Sequence, residues 1–216
     1  MKYNRTARTH CMTRGLSNSA RLNALSHLLL GLVISMFCMF AHAAIDPTSF
    51  YSNFTNLPFK NQHNQTFDTA KLRHKVVLFN FIYTQCATVC SVQTKALVDV
   101  VNALPKEVRP KIALVSVSLD PLNDTPAKLA AFAKQNHADF NNWHFITSKP
   151  NDVATLSDRL KLFGADKKTS NAAVRPNDHI THLWLVDNKG RLIMRYLGNP
   201  IDKVRLAREM EQLSNL

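Results

Sequence analysis

No aspartate or glutamate occurs before Asp46 in this 216-residue chain. Lys2, Arg5, Arg8, Arg14 and Arg21 stand there without a counter-charge, so residues 1–44 do not read as part of a globular domain. Cysteine is scarce as well. Of four, Cys11 and Cys38 fall in that first stretch, leaving only Cys86 and Cys90 beyond it. Two cysteines exclude a disulfide-stapled scaffold, and a domain of this length buries a core without staples. No apolar run reaches the roughly 20 residues of a membrane span. Internal repeats and low-complexity tracts are missing. So are dense basic runs interleaved with aromatics, which argues against nucleic acid as a partner despite a net charge of +12.

What the first 44 residues do contain is informative. An apolar run from Leu28 to Ala41, broken by little more than Gly31 and Ser35, leads into Ala41-His42-Ala43-Ala44. A basic start, an apolar stretch and an A-x-A site make a secretory signal, with cleavage expected after Ala43. The long basic region also fits a retained N-terminal anchor. Both readings export the domain to the periplasm, either free or attached to the inner membrane. The exported part carries +7, because five of the 27 basic residues and none of the 15 acids precede it. Residues 45–56 read as a linker and 57–216 as the domain.

With 45% hydrophobic and 19% charged residues, the composition is that of a folded domain. Residues 57–72 are polar and turn-rich, and read as a short hairpin. Val76–Tyr83 is a near-continuous apolar run, as expected of a strand buried on both faces. Val89–Leu104 repeats apolar residues at helical spacing and stops at Pro105. Ile112–Ser118 reads as a strand. Asp124-Thr125-Pro126 opens a helix running to about Asn136, with Asp124 as its cap. A short strand at Trp143–Ile146 precedes a helix from about Asp152 to Gly164. Leu183–Val186 and Leu192–Tyr196 form a hairpin around Gly190, and a helix over 201–213 closes the chain. This order predicts an α/β thioredoxin-like fold: a central mixed sheet flanked by helices, with an N-terminal hairpin extension. Phe81 and Trp184 read as core.

Cys86 and Cys90 stand where a buried strand runs into a helix, the usual place for α/β sites. Residues four apart on a helix face the same way. The helix N-terminus favours thiolate, so one or both pKa values should fall below the free value. Three intervening residues allow a disulfide only if Cys86 lies outside regular helix geometry. Two soft thiolates suit Cu(I), and an added imidazole also suits Cu(II). A third ligand would come from His63, His74, His137, His144, His179 or His182; the last two flank the start of the strand Leu183–Val186. A redox couple needs the thiols alone. A peroxidase-like site would want an arginine close to one activated thiolate, and none stands beside Cys86.

Over residues 57–213 the sequence resembles the Sco/SenC proteins of cytochrome oxidase assembly. The resemblance is carried by Lys75-Val76-Val77-Leu78-Phe79-Asn80-Phe81-Ile82-Tyr83-Thr84-Gln85-Cys86, by the spacing to Cys90, by Val117-Ser118-Leu119-Asp120-Pro121 continuing to Asp124-Thr125, and by Asp178-His179 running to Lys189-Gly190. It selects His179, which follows an Asp and precedes Gly190 by eleven positions; His182 is left as an alternative or supporting group. The resemblance implies Cu(I) and Cu(II) held by Cys86, Cys90 and His179. It also implies a metallochaperone delivering copper to the dinuclear centre in the copper-bearing subunit of cytochrome c oxidase, or to another periplasmic copper carrier. The alternative is a thiol–disulfide oxidoreductase that reduces cysteines of such a partner through Cys86 and Cys90. Two departures stand out: Ala87 and Ser91 occupy positions where the family often has proline, and loop 165–178 is atypical. Asp120 and Asp124 match the family motif but read as a turn and a helix cap.

Overall fold

The computed structural model describes residues 48–86, 88–163 and 181–216. The N-terminal basic and apolar segment with its expected cleavage point, Gly164, loop 165–178 and His179 lie outside the described residues.

Strand β2 (Val76–Ile82) is buried at all seven positions. Its odd-numbered side chains Val77, Phe79 and Phe81 enter one apolar core, while Val76, Leu78 and Ile82 enter a second. This is the two-faced burial its continuous apolar run predicts. β3 (Ile112–Ser118) lies parallel to β2, with Val76 opposite Ile112 and Ile82 opposite Ser118. β4 (Trp143–Thr147) lies parallel to β3, and the two-residue β1 (Lys60–Asn61) pairs antiparallel with β4. On the other side of β2, β5 (His182–Val186) runs antiparallel and forms a hairpin with β6 (Leu192–Leu197). The sheet order is β1-β4-β3-β2-β5-β6, a mixed six-stranded sheet.

Helices α1 (Val89–Ala103), α2 (Pro126–Gln135) and α4 (Lys203–Ser214) cover one face through Leu97, Val100, Leu129, Phe132, Leu206 and Met210. Helix α3 (Pro150–Leu160) covers the other through Val153, Leu156 and Leu160. The thioredoxin-like α/β architecture expected from the element order is present. The expected hairpin is a bridge between Lys60 and Thr66, followed by a 3-10 turn at Thr69–Leu72.

Three readings need correcting. Helix α3 stops at Leu160 instead of running to Gly164, because Lys161 turns into the left-handed region (φ 53°). Asp124 does not cap α2; Thr125 does, accepting the Lys128 N–H at 3.3 Å. The stretch read as a linker contributes to the core. Its Phe50–Phe54 forms a 3-10 helix that buries Phe50, Tyr51 and Phe54, with the Phe50 ring centroid 4.9 Å from Phe79 and 5.7 Å from Trp184. Phe50 N–H donates to the Gly190 carbonyl at 2.8 Å. Gly190 has φ 81°, and a Cβ there would lie 2.5 Å from Ser49 Oγ, so the hairpin turn and the N-terminal segment are mutually fitted.

Candidate copper and thiol site

β2 ends at Ile82, and the chain turns through Tyr83-Thr84-Gln85 to Cys86 before α1 begins. Cys86 therefore precedes the helix, and the sulfurs meet across a loop rather than along one helical face. Thr88 occupies the cap position without a side-chain cap bond. The sulfur of Cys86 takes over part of that duty: Cys90 N–H in the first helical turn donates to Cys86 Sγ at 3.3 Å. A donor-rich helix end aimed at one sulfur is the arrangement that stabilises thiolate.

The two thiols are free and unlike each other. Cys86 is half-buried, whereas Cys90 is only 3% exposed. Burial opposes ionisation of Cys86, but hydrogen bonds from the Cys90 thiol and N–H, the Tyr83 hydroxyl and the Thr88 backbone outweigh it and lower its pKa. Cys90 moves the other way. Burial, then the competing hydrogen bond with Cys86, pushes it up to about 12. The expected thiolate is thus assigned to Cys86. Tyr83 is pushed up to about 12 by burial and by its hydrogen bond to Cys86, which keeps the phenol protonated as a donor.

Asp124 anchors the cysteine loop instead of capping a helix. It is completely buried and accepts from Thr84 N–H at 3.1 Å, from Thr84 Oγ1 at 2.6 Å and from Ser118 Oγ at 2.6 Å. It thereby ties the cysteine loop to the end of β3. Burial raises its pKa despite these donors. Asp120 does make the expected turn, its carbonyl accepting from Asn123 and Asp124 N–H. Phe81 and Trp184 are core residues, each 3% exposed, with the Arg195 guanidinium stacked 4.2 Å from the Trp184 ring centroid.

The histidines separate clearly. His74 and His137 occupy left-handed turn positions, and His63 is exposed in the hairpin. His144 lies on β4, its ring 5.5 Å from that of Phe67 and tilted 55° to it; burial and the nearby charges of Lys71, Lys75 and His63 lower its pKa. The β2–β5 register places His182 at the cysteine end of β2. Among the described residues, however, no group of three or more His, Cys, Asp or Glu side chains could share a metal ion, so His182 does not join the thiols. The described residues supply two soft donors, one of them disposed to thiolate, which suits Cu(I).

The SCO1/SenC family model matches residues 44–215. The SCO1 protein homolog of Bacillus subtilis (strain 168) is 30% identical over 144 residues, spanning 65% of this chain and 71% of that protein. A SCO1/SenC family lipoprotein from Bacillus anthracis superposes with a TM-score of 0.61 at 28% identity, over 73% of this chain and 92% of the other. ScoI of Bradyrhizobium japonicum, solved with copper bound, has the same fold at a TM-score of 0.59 and 19% identity, over 73% and 96% of the two chains. On the match across residues 44–215, the chain belongs to the SCO1/SenC family.

Proposed function

We propose that this protein is an exported copper metallochaperone that delivers copper to the dinuclear copper centre of cytochrome c oxidase. Cys86, Cys90 and His179 hold the metal as Cu(I), and the same three residues accept Cu(II). The observation that carries this reading is the pair of sulfurs at the mouth of α1, with Cys86 Sγ accepting the Cys90 N–H and remaining half-open to an incoming partner. A carrier needs soft donors to hold Cu(I) and an open side for ligand exchange; the half-exposed sulfur offers that side. The copper-bound ScoI relative and the family resemblance support the same assignment. Residues 1–44 would export the domain and either leave it in the periplasm or attach it to the inner membrane.

Transfer is the test. The reduced, Cu(I)-loaded protein is mixed with the metal-free copper-bearing subunit of the oxidase, and transfer is followed by metal analysis of the separated proteins and, after one-electron oxidation with added ferricyanide, by the absorbance of the dinuclear centre. The expected outcome is stoichiometric loss of copper from the carrier and its appearance in the subunit. A subunit that loads from free Cu(I) but never from the carrier contradicts the proposal.

The contrast in exposure between half-open Cys86 and buried Cys90 favours a second reading, a thiol–disulfide reductase. Cys86 thiolate would attack a substrate disulfide and release one thiolate. Cys90 would then displace the second, leaving Cys86–Cys90 oxidised and the substrate carrying two thiols. That activity needs no imidazole. A His179→Ala protein that still reduces the oxidised subunit at the wild-type rate supports it, whereas no turnover by the reduced wild type excludes it.

A further inference from the structure

We infer that Gln93 is a positioning residue, clasping the backbone at Thr181 and Gly198 and fixing where the chain entering β5 meets the cysteine helix. The inference rests on the reading above that His179 completes the copper site.

Gln93 lies on the inner side of α1, three residues past Cys90, and is 3% exposed. A buried amide needs partners for both its oxygen and its nitrogen. Gln93 Oε1 accepts from Asn80 Nδ2 at 3.0 Å. Its Nε2 donates to the Gly198 carbonyl at 3.1 Å and to the Thr181 carbonyl at 3.4 Å.

The direction of these bonds is set by the Thr181 and Gly198 carbonyls, which can only accept, and the chain across the sheet agrees with it. The Trp143 indole can only donate, and it donates to Ser116 Oγ at 2.8 Å. Ser116 then donates to Asn80 Oδ1 at 2.7 Å, which leaves Asn80 Nδ2 as the donor toward Gln93. Each amide orientation follows from its neighbour, from the two carbonyls through Gln93 and Asn80 to Ser116, which accepts from the indole on β4. The donor end of the chain therefore points at Thr181 and Gly198.

Gly198 gives an independent sign of how tightly this junction is built. A Cβ at that position would run into the Thr181 carbonyl and the Gln93 amide nitrogen. The position thus requires a glycine for space. Thr181 is two residues from His179 in sequence. Holding the Thr181 carbonyl on α1 therefore ties the chain entering β5 to the same helix that carries Cys90.

The test uses the purified full chain with Gln93→Glu and Gly198→Ala. The glutamate keeps an acceptor for Asn80 but, when ionised, donates to neither carbonyl; the alanine displaces the clasp from the opposite side. Cu(I) affinity is read by chelator competition, the Cu(II) site by electron paramagnetic resonance, and the thiols by titration. Each variant should lose about tenfold or more in copper affinity and shift the Cu(II) spectrum, while both thiols still titrate and the Cys86–Cys90 disulfide still forms. Neither should lower affinity further in a His179→Ala background. Wild-type affinity and spectrum in both variants, or losses that add in full to that of His179→Ala, overturn the inference. A copper-independent measurement separates it from the copper reading. In 1H–15N spectra the Gln93 side-chain amide protons should exchange slowly, and the backbone signals of Thr181 and His182 should move in both variants. Rapid exchange or unmoved signals overturn the clasp whatever the copper result. Slow exchange and moved signals in a wild type that binds no copper uphold the clasp and sink the copper reading alone.

Discussion

At Cys86 the sulfur lies just before a helix, accepts a backbone N–H from its first turn and is half-open to solvent. Four residues on, Cys90 is enclosed and carries a thiol pushed up to about 12. Thiolate is the attacking form, so reaction with iodoacetamide should discriminate sharply. Cys86 should be modified first, with a pH midpoint below that of an ordinary cysteine thiol, because hydrogen bonds lower its pKa. Cys90 should stay unmodified until the protein is unfolded. Mass spectrometry of the alkylated peptides over a pH series checks this; equal rates at both cysteines would contradict the asymmetry. The pair was legible in the sequence by scarcity alone, as the only cysteines beyond residue 44. Which of the two is the thiolate was not, because the answer depends on burial and on Tyr83 and Thr88, whose bonds to Cys86 exist only once the loop is folded.

Among the elements, the cysteine loop depends on the turn after β3. Asp124 meets three donors from Thr84 and Ser118 in a completely buried position. Removing the carboxylate leaves them unpaired, at about 1–3 kcal/mol for each buried polar group. Asp124→Ala should therefore lower stability to urea by roughly 3 kcal/mol or more and blur the difference in reactivity between the thiols. The pH dependence has a definite sign. Burial raises the Asp124 pKa above 3.8, so the native state keeps this proton to higher pH than the unfolded chain. Its contribution to stability is fully present below 3.8 and is lost as pH rises through the folded value. Asp124→Asn should remove that dependence, which urea midpoints on the acid side would reveal. An Asp before Thr-Pro looks like a helix cap in any sequence. Only the partner 40 residues away distinguishes a loop anchor from a cap, and local spacing carries no trace of it.

The whole molecule is organised by β2, whose uninterrupted burial follows directly from its apolar run. Strand, helix and hairpin positions were readable for that reason: each has a period or a turn residue that acts locally. The N-terminal 3-10 helix was not readable, since five residues show no period and its rings find Phe79 and Trp184 only through tertiary packing. Phe50→Ala should consequently cost about 3–5 kcal/mol in urea unfolding, as truncations of buried aromatics do. A cost near zero would restore the reading of this stretch as a tether. His179 was reached by resemblance, because six histidines follow residue 44 and periodicity does not choose among them.

The central claim is that two cysteines and one histidine share one copper ion. The most direct measurement is copper stoichiometry and Cu(I) affinity of the reduced protein beside Cys86→Ser, Cys90→Ser and His179→Ala. The account predicts one Cu(I) per wild-type chain and loss of stoichiometric copper in all three variants, with the Cys86–Cys90 disulfide still forming in His179→Ala. Copper bound by His179→Ala with wild-type stoichiometry and affinity would contradict it.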